Sequence, residues 1–188
     1  MDDDREEVDM SEQTTSRRVA FLVANEGVEQ VELTEPWQAV TDAGGVAVLV
    51  APDAGEVQAF HHLDKGDTFP VDTTVADAEV ADFDAVVLPG GVANPDQLRT
   101  DSDAVAFLRD FAATGRPIAA ICHAPWTLIE AGVTSGARLT SWPSLETDLR
   151  NSGATWVDEE VVVDGNLITS RKPDDLPAFC SALLDAVG

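Results

Sequence analysis

A doubly wound α/β fold, with a mostly parallel sheet covered by helices on both faces, is the class this sequence predicts. Three observations carry that expectation. Short, wholly apolar runs recur along the chain, as strands buried on both faces require. Stretches with helical spacing alternate with them, and alternating strand and helix is the pattern of parallel crossover units. At 188 residues, without internal repeat or linker, the chain suits one domain with a sizeable core.

Residues 1–16, MDDDREEVDMSEQTTS, are acidic and almost free of large apolar side chains, so they read as a disordered tail before a single domain over 17–188. Order is expected from RRVAFLVA (17–24), a compact apolar run suited to a buried strand. ELTEPWQAVTDAGG reads as a helix closed by Gly44 and Gly45, and VAVLVAP as the second buried strand. Gly55 to Asp72 has mixed polarity around His61, His62 and Gly66 and reads as a hairpin. FDAVVLPGG is a third strand ending in Pro89, Gly90 and Gly91. SDAVAFLRDFAATG places Val105, Leu108 and Phe111 on one helical face and stops at Gly115. RPIAAIC is the fourth strand, followed by a helix from near His123 and a short one in PSLETDLRNSG. TWVDEEVVVDGNLITSR alternates around the turn signal Asp164-Gly165, and PDDLPAFCSALLDAV is a closing helix.

Composition excludes several functions. Thirty-five acidic against 11 basic residues leave a formal charge of -24. A field of that sign repels nucleic acid and anionic lipid, so neither is an expected partner. With lysine confined to Lys65 and Lys172, the acidic surface reads as adaptation to a salt-rich, halophilic cytoplasm. No apolar run is long enough to span a membrane and no signal peptide opens the chain, which predicts a cytoplasmic protein. The two cysteines lie far apart and form no disulfide framework.

In open α/β sheets the ligand crevice lies beyond the carboxyl ends of the strands. Three loops there carry chemistry: NEGVEQVE, PGGVANPD and CHAP. Cys122 joins a buried strand to a helix, so it is either a small core residue or a nucleophile raised on a strained turn, as in the serine hydrolases. The helix start beyond it would favour the thiolate and lower the thiol pKa. His123 can orient or deprotonate that thiol, but adjacent residues meet only if the turn departs from regular helix. Glu29 in the first loop is either a solvated carboxylate or a group sharing a proton with the sulfur. Gly90 and Gly91 offer unobstructed N–H groups to a developing oxyanion. His61 and His62 have no further ligands at metal-binding spacing, so no metal or cofactor is expected.

Four segments together, ANEGVEQVELTEP, FDAVVLPGG, PIAAICHAPWTLIEAG and VVVDGNLITSRKPDDLPAF, resemble the PfpI-type intracellular proteases of the ThiJ/PfpI superfamily, from Arg18 to the C-terminus. The resemblance implies a flavodoxin-like sheet and a homodimer, often assembled into a hexamer. It also implies a reactive cysteine at Cys122, a partner histidine at His123 and a first-loop glutamate at Glu29. An acidic residue supplied across an interface falls on Asp96. The chain departs from the family pattern at four points. Asp96 stands where glutamate is usual, the first loop is one residue longer (Glu26 being the other glutamate in register), Ala124 replaces a glycine, and Trp142 lines the site where some members have tyrosine.

The activities implied are peptide hydrolysis, glyoxalase conversion of methylglyoxal, and deglycation of its adducts, with a small aldehyde or a peptide as substrate. The alternative is a non-catalytic redox sensor or stress chaperone that cycles Cys122 through its oxidised acids. Cys180, within the closing helix, reads as a core residue and a poor resolving partner. A glutamine amidotransferase needs a histidine well downstream of its cysteine, and none follows His123.

Overall fold

The computed structural model describes residues 16–188, so the expectation for the acidic tail lies outside the described residues except at Ser16. The chain runs β1 (Arg18–Leu22), β2 (Glu26–Glu29), α1 (Gln30–Asp42) and β3 (Val46–Ala51), then the hairpin β4 (Glu56–His61) and β5 (Asp64–Pro70). After β6 (Thr73–Thr74) come β7 (Ala85–Leu88), α2 (Ala93–Leu98), α3 (Ser102–Ala113), β8 (Ile118–Ile121) and α4 (Pro125–Ala131). The last third holds β9 (Arg138–Leu139), α5 (Glu146–Asn151), β10 (Thr155–Trp156), β11 (Val161–Asp164), β12 (Leu167–Ser170) and α6 (Leu176–Val187).

A seven-stranded sheet in the order β11-β12-β8-β7-β1-β3-β6 forms the centre. Every neighbouring pair is parallel except the edge hairpin β11–β12. The predicted doubly wound, mostly parallel class is therefore the observed one. Strand alternation divides the core between the two faces. Ala20 and Leu22 of β1 join Phe107, Leu108 and Phe111 of α3 and Leu128 of α4 on one side. Val19 and Phe21 join Leu33 of α1 and Phe179 and Leu183 of α6 on the other. Each fully buried large side chain contributes roughly 1.5–3 kcal/mol, which makes the strand ends a rigid platform for the loops above them.

Three short features fall within segments expected to be loops or longer elements. Glu26–Glu29 is a strand, pairing parallel with β4 to make a separate three-stranded sheet with β5. Residues 93–98 of the PGGVANPD region form the helix α2. Thr155–Trp156 pairs with β9 rather than joining the hairpin, which turns after Asp164 as expected. Elements of two to six residues bury too little surface to impose a visible period on the sequence. Among the described residues, no helix is long and apolar enough to cross a membrane.

Candidate active site

The parallel order brings the ends of β1, β7 and β8 side by side, and the site is built there. At the end of β8 the chain makes the strained turn that a Cys122–His123 contact requires. Cys122 has a left-handed backbone, φ 65°, which costs an L residue roughly 1–2 kcal/mol. Two hydrogen bonds hold it: its N–H donates to the Ser170 carbonyl at 3.1 Å, and its carbonyl accepts the Trp142 N–H at 2.8 Å. The turn folds the two side chains together, with Cys122 Sγ 3.1 Å from His123 Nδ1. Ala124 keeps ordinary helical geometry at φ -53° and packs into the core, so the methyl group in place of glycine is accommodated below the sulfur.

His123 is buried between two indoles. The Trp142 ring stacks on it at 5.5 Å and 21°, and Trp126 lies tilted at 5.4 Å with its Nε1 donating to Asp148. Burial lowers the His123 pKa to about 4, so the imidazole is neutral near pH 7 and free to accept a proton from sulfur.

The carboxyl at the sulfur is not the one expected. Glu29 ends β2 facing the hairpin, where its Oε2 accepts the His62 N–H at 3.0 Å. Glu26 is exposed. The group beside Cys122 is Glu32, in the first turn of α1, fully buried and close enough to shift the titration of the thiol. Its Oε2 accepts the Gly90 N–H at 2.8 Å, while its Oε1 is buried with no partner among the described residues. Burial is the main cause that raises Glu32 from 4.5 to about 8, so near neutral pH its carboxyl holds a proton. A carboxylic acid on the apolar face of α1, in line with Pro36 and Val40, was legible from helical spacing.

The thiol itself departs from expectation in the opposite sense. Burial first, then the charge of Glu32, push the Cys122 pKa up, and the N–H groups of Gly91 and His123 only partly offset them. The seven-residue α4 is too short for its dipole to reverse the cost of burying a thiolate. Glu32 and Cys122 share one buried space, so the first proton to leave belongs to the pair.

Gly90 and Gly91 are placed at the sulfur, but their roles divide. The Gly90 N–H is committed to Glu32, which corrects its expected place as an oxyanion donor. The Gly91 N–H, with the backbone N–H of His123, instead acts on the sulfur and favours its charged form. Buried Asn94 holds this loop: its Oδ1 accepts the Ala24 N–H at 2.7 Å, and its Nδ2 donates to the carbonyls of Pro89 and Gly90 at 2.9 and 3.0 Å. Asn94→Ala should cost about 2–4 kcal/mol, because it leaves buried backbone groups on two loops unpaired. Chemical denaturation measures this, and a loss under 1 kcal/mol would refute the bracing role.

A cavity of about 270 Å³ opens over the sulfur, lined by Cys122, His123, Glu32, Gly91 and Trp142. Glu29 of the small sheet and His62 in its hairpin turn share its wall, and sequence reasoning weighed His62 only as a metal ligand. Asp96 lies exposed on α2 and does not line it within one chain. Both cysteines are free. Burial, with Glu35 adding to it, raises Cys180 to about 11, which fits a structural thiol. Among the described residues, no cluster of three or more His, Cys, Asp or Glu is arranged to hold a metal ion.

Residues 17–186 match the DJ-1/PfpI family. The chain belongs to that family. It is 41% identical over 162 residues to a deglycase of Pyrococcus horikoshii, covering 86% of this chain and 94% of that protein. It is 38% identical over 164 residues to a Bacillus subtilis protein provisionally named a cysteine protease, covering 87% and 94%. The crystal structure of Drosophila melanogaster DJ-1beta superposes with a TM-score of 0.82 at 32% identity, covering 93% of this chain and 92% of that one. The flavodoxin-like expectation thus holds for the fold.

Proposed function

We propose that this protein is a cysteine-dependent enzyme acting on small carbonyl compounds, with Cys122 as its nucleophile. The observation that carries the proposal is Cys122 on a strained turn, 3.1 Å from a neutral imidazole and beside a protonated carboxyl. A buried thiol with a raised pKa is a poor resting thiolate, so the proton leaves as the substrate arrives. Sulfur adds to the carbonyl carbon, its proton passes to His123 Nδ1, and the oxyanion is held by the N–H groups of Gly91 and His123. Glu32, as the acid, stands beside the sulfur without placing a second negative charge there.

Deglycation or glyoxalase chemistry on methylglyoxal or its adducts fits better than hydrolysis of folded peptides. A 270 Å³ cavity lies at the small end for ligand sites and suits a few-carbon aldehyde. The names of the Pyrococcus and Bacillus relatives support an enzyme of this kind. The proposal extends to a cytoplasmic homodimer or hexamer in which Asp96 of a neighbouring copy reaches His123, and to a halophilic setting for the -24 surface.

The test is paired turnover of methylglyoxal to lactate and of a peptide amide, in high salt. Cys122→Ser is expected to lower lactate formation at least about a thousandfold, since the hydroxyl is a far weaker nucleophile here. No turnover of either substrate, with clean oxidation of Cys122 by mild peroxide, would instead support a redox sensor.

A further inference from the structure

Among the described residues, two that are not glycine adopt a positive φ: Cys122 at 65° and His62 at 60°. Both line the same cavity. Strain of this kind costs roughly 1–3 kcal/mol per residue and persists only where surrounding structure enforces it. At His62, between β4 and β5, the enforcing group is Glu29, whose Oε2 accepts the His62 N–H at 3.0 Å. The same oxygen lies 3.9 Å from His62 Nδ1. A carboxylate facing one ring nitrogen and a cavity beside the ring is how an oriented general base is built. The 3.9 Å separation is longer than a hydrogen bond and can tighten when substrate enters.

The groups at the sulfur leave a task unfilled. Adding the thiol to a peptide or ester carbonyl and expelling the leaving group gives a thioester on Cys122. Internal rearrangement of a methylglyoxal thiohemiacetal gives one too. Water must then resolve it. His123 Nδ1 lies 3.1 Å from the sulfur, at the bond that must break, and Glu32 holds its own proton up to about 8. The water that attacks the acyl carbon calls for a base elsewhere on the cavity wall, where His62 stands.

We propose that His62, oriented by Glu29, is the base that resolves the thioester; this rests on the nucleophile reading of Cys122. His62 Nε2 takes one proton from water as the oxygen bonds to the acyl carbon. The carbon–sulfur bond breaks, sulfur leaves with the electron pair, and the His62 proton returns to it. The products are the carboxylic acid and the Cys122 thiol, so atoms and charge balance. The His62 side chain is 85% exposed, which keeps its ring within reach of solvent water. Glu29 is a positioning residue acting through His62.

The experiment uses p-nitrophenyl acetate with the full chain. Wild type should release one burst of nitrophenolate, carry an acetyl group on Cys122 by mass spectrometry, and clear it. His62→Asn keeps a side chain that tolerates the left-handed backbone while removing the imidazole. It should leave the burst intact, slow clearance about a hundredfold and accumulate acetyl-enzyme. Free imidazole should restore clearance, which would not rescue a purely structural defect. An intact burst with clearance at the wild-type rate in His62→Asn overturns the assignment of His62 alone. Absence of acetylation on wild-type Cys122 overturns the nucleophile reading and the His62 assignment with it.

Discussion

Gly90→Ala is expected to reduce turnover about a hundredfold or more while costing about 1–3 kcal/mol of stability. A Cβ at this position would sit 2.5 Å from Glu32 Oε2, 2.6 Å from Cys122 Cβ and 2.8 Å from the Ile121 carbonyl oxygen. None of these can yield cheaply. Glu32 is fully buried, Cys122 is tethered through both its N–H and its carbonyl, and Ile121 lies in a central strand. The methyl group must therefore displace Cys122 or Glu32, and a 1 Å misplacement at a reacting centre is worth about two orders of magnitude in rate. Gly115→Ala is the contrast. Its φ of 74° carries strain, but nothing lies within 4 Å of a Cβ there. It should lose about 1 kcal/mol and keep full activity. Kinetics on methylglyoxal and denaturation of both variants separate the effects. Activity within twofold of wild type in Gly90→Ala would refute the packing of the site described above.

Glu32→Gln should change how stability depends on pH. The folded protein raises Glu32 from 4.5 to about 8, so between those values the native state holds a proton that the unfolded chain has released. Stability from this group is therefore complete below about 4.5 and is lost as pH rises through about 8. At 1.36 kcal/mol per unit the loss is roughly 4–5 kcal/mol. Glutamine keeps the shape and cannot ionise. The variant should lack this decline, gaining on wild type from about pH 4.5 and levelling off above about 8 in denaturation experiments. Removing the carboxylate also removes a cause that raises the Cys122 pKa, so iodoacetamide should label the variant faster than wild type at alkaline pH. Parallel stability curves for the two proteins would contradict the buried, protonated carboxyl.

The elements most legible in the sequence are those whose burial leaves a periodic mark. VAFL in β1, AVVL in β7 and IAAI in β8 are wholly apolar because both faces of the central strands are covered. The Cys122–His123 junction was also legible, since both residues directly follow such a run. Local pattern misled at the glutamate, where the choice lay between Glu29 and Glu26 and the group at the sulfur is Glu32. Glu29 lies in the expected loop, but that loop is the strand β2, and pairing with β4 turns its carboxylate toward His62. Glu32, one helical turn later, faces inward with Leu33, Pro36 and Val40 and so reaches the sulfur.

By itself, the sequence determined the α/β class, the order of its main elements, the Cys122–His123 junction and the acidic surface. All of these depend on local periodicity, adjacency or composition, which the chain carries residue by residue. Tertiary structure alone decided that Glu32 rather than Glu29 meets the sulfur, that the Gly90 N–H serves Glu32, and that burial raises the thiol pKa. It also decided that His62 shares the cavity. Each of these depends on distances between segments 30 to 90 residues apart, and on how much water their packing excludes, quantities that no local stretch of sequence encodes.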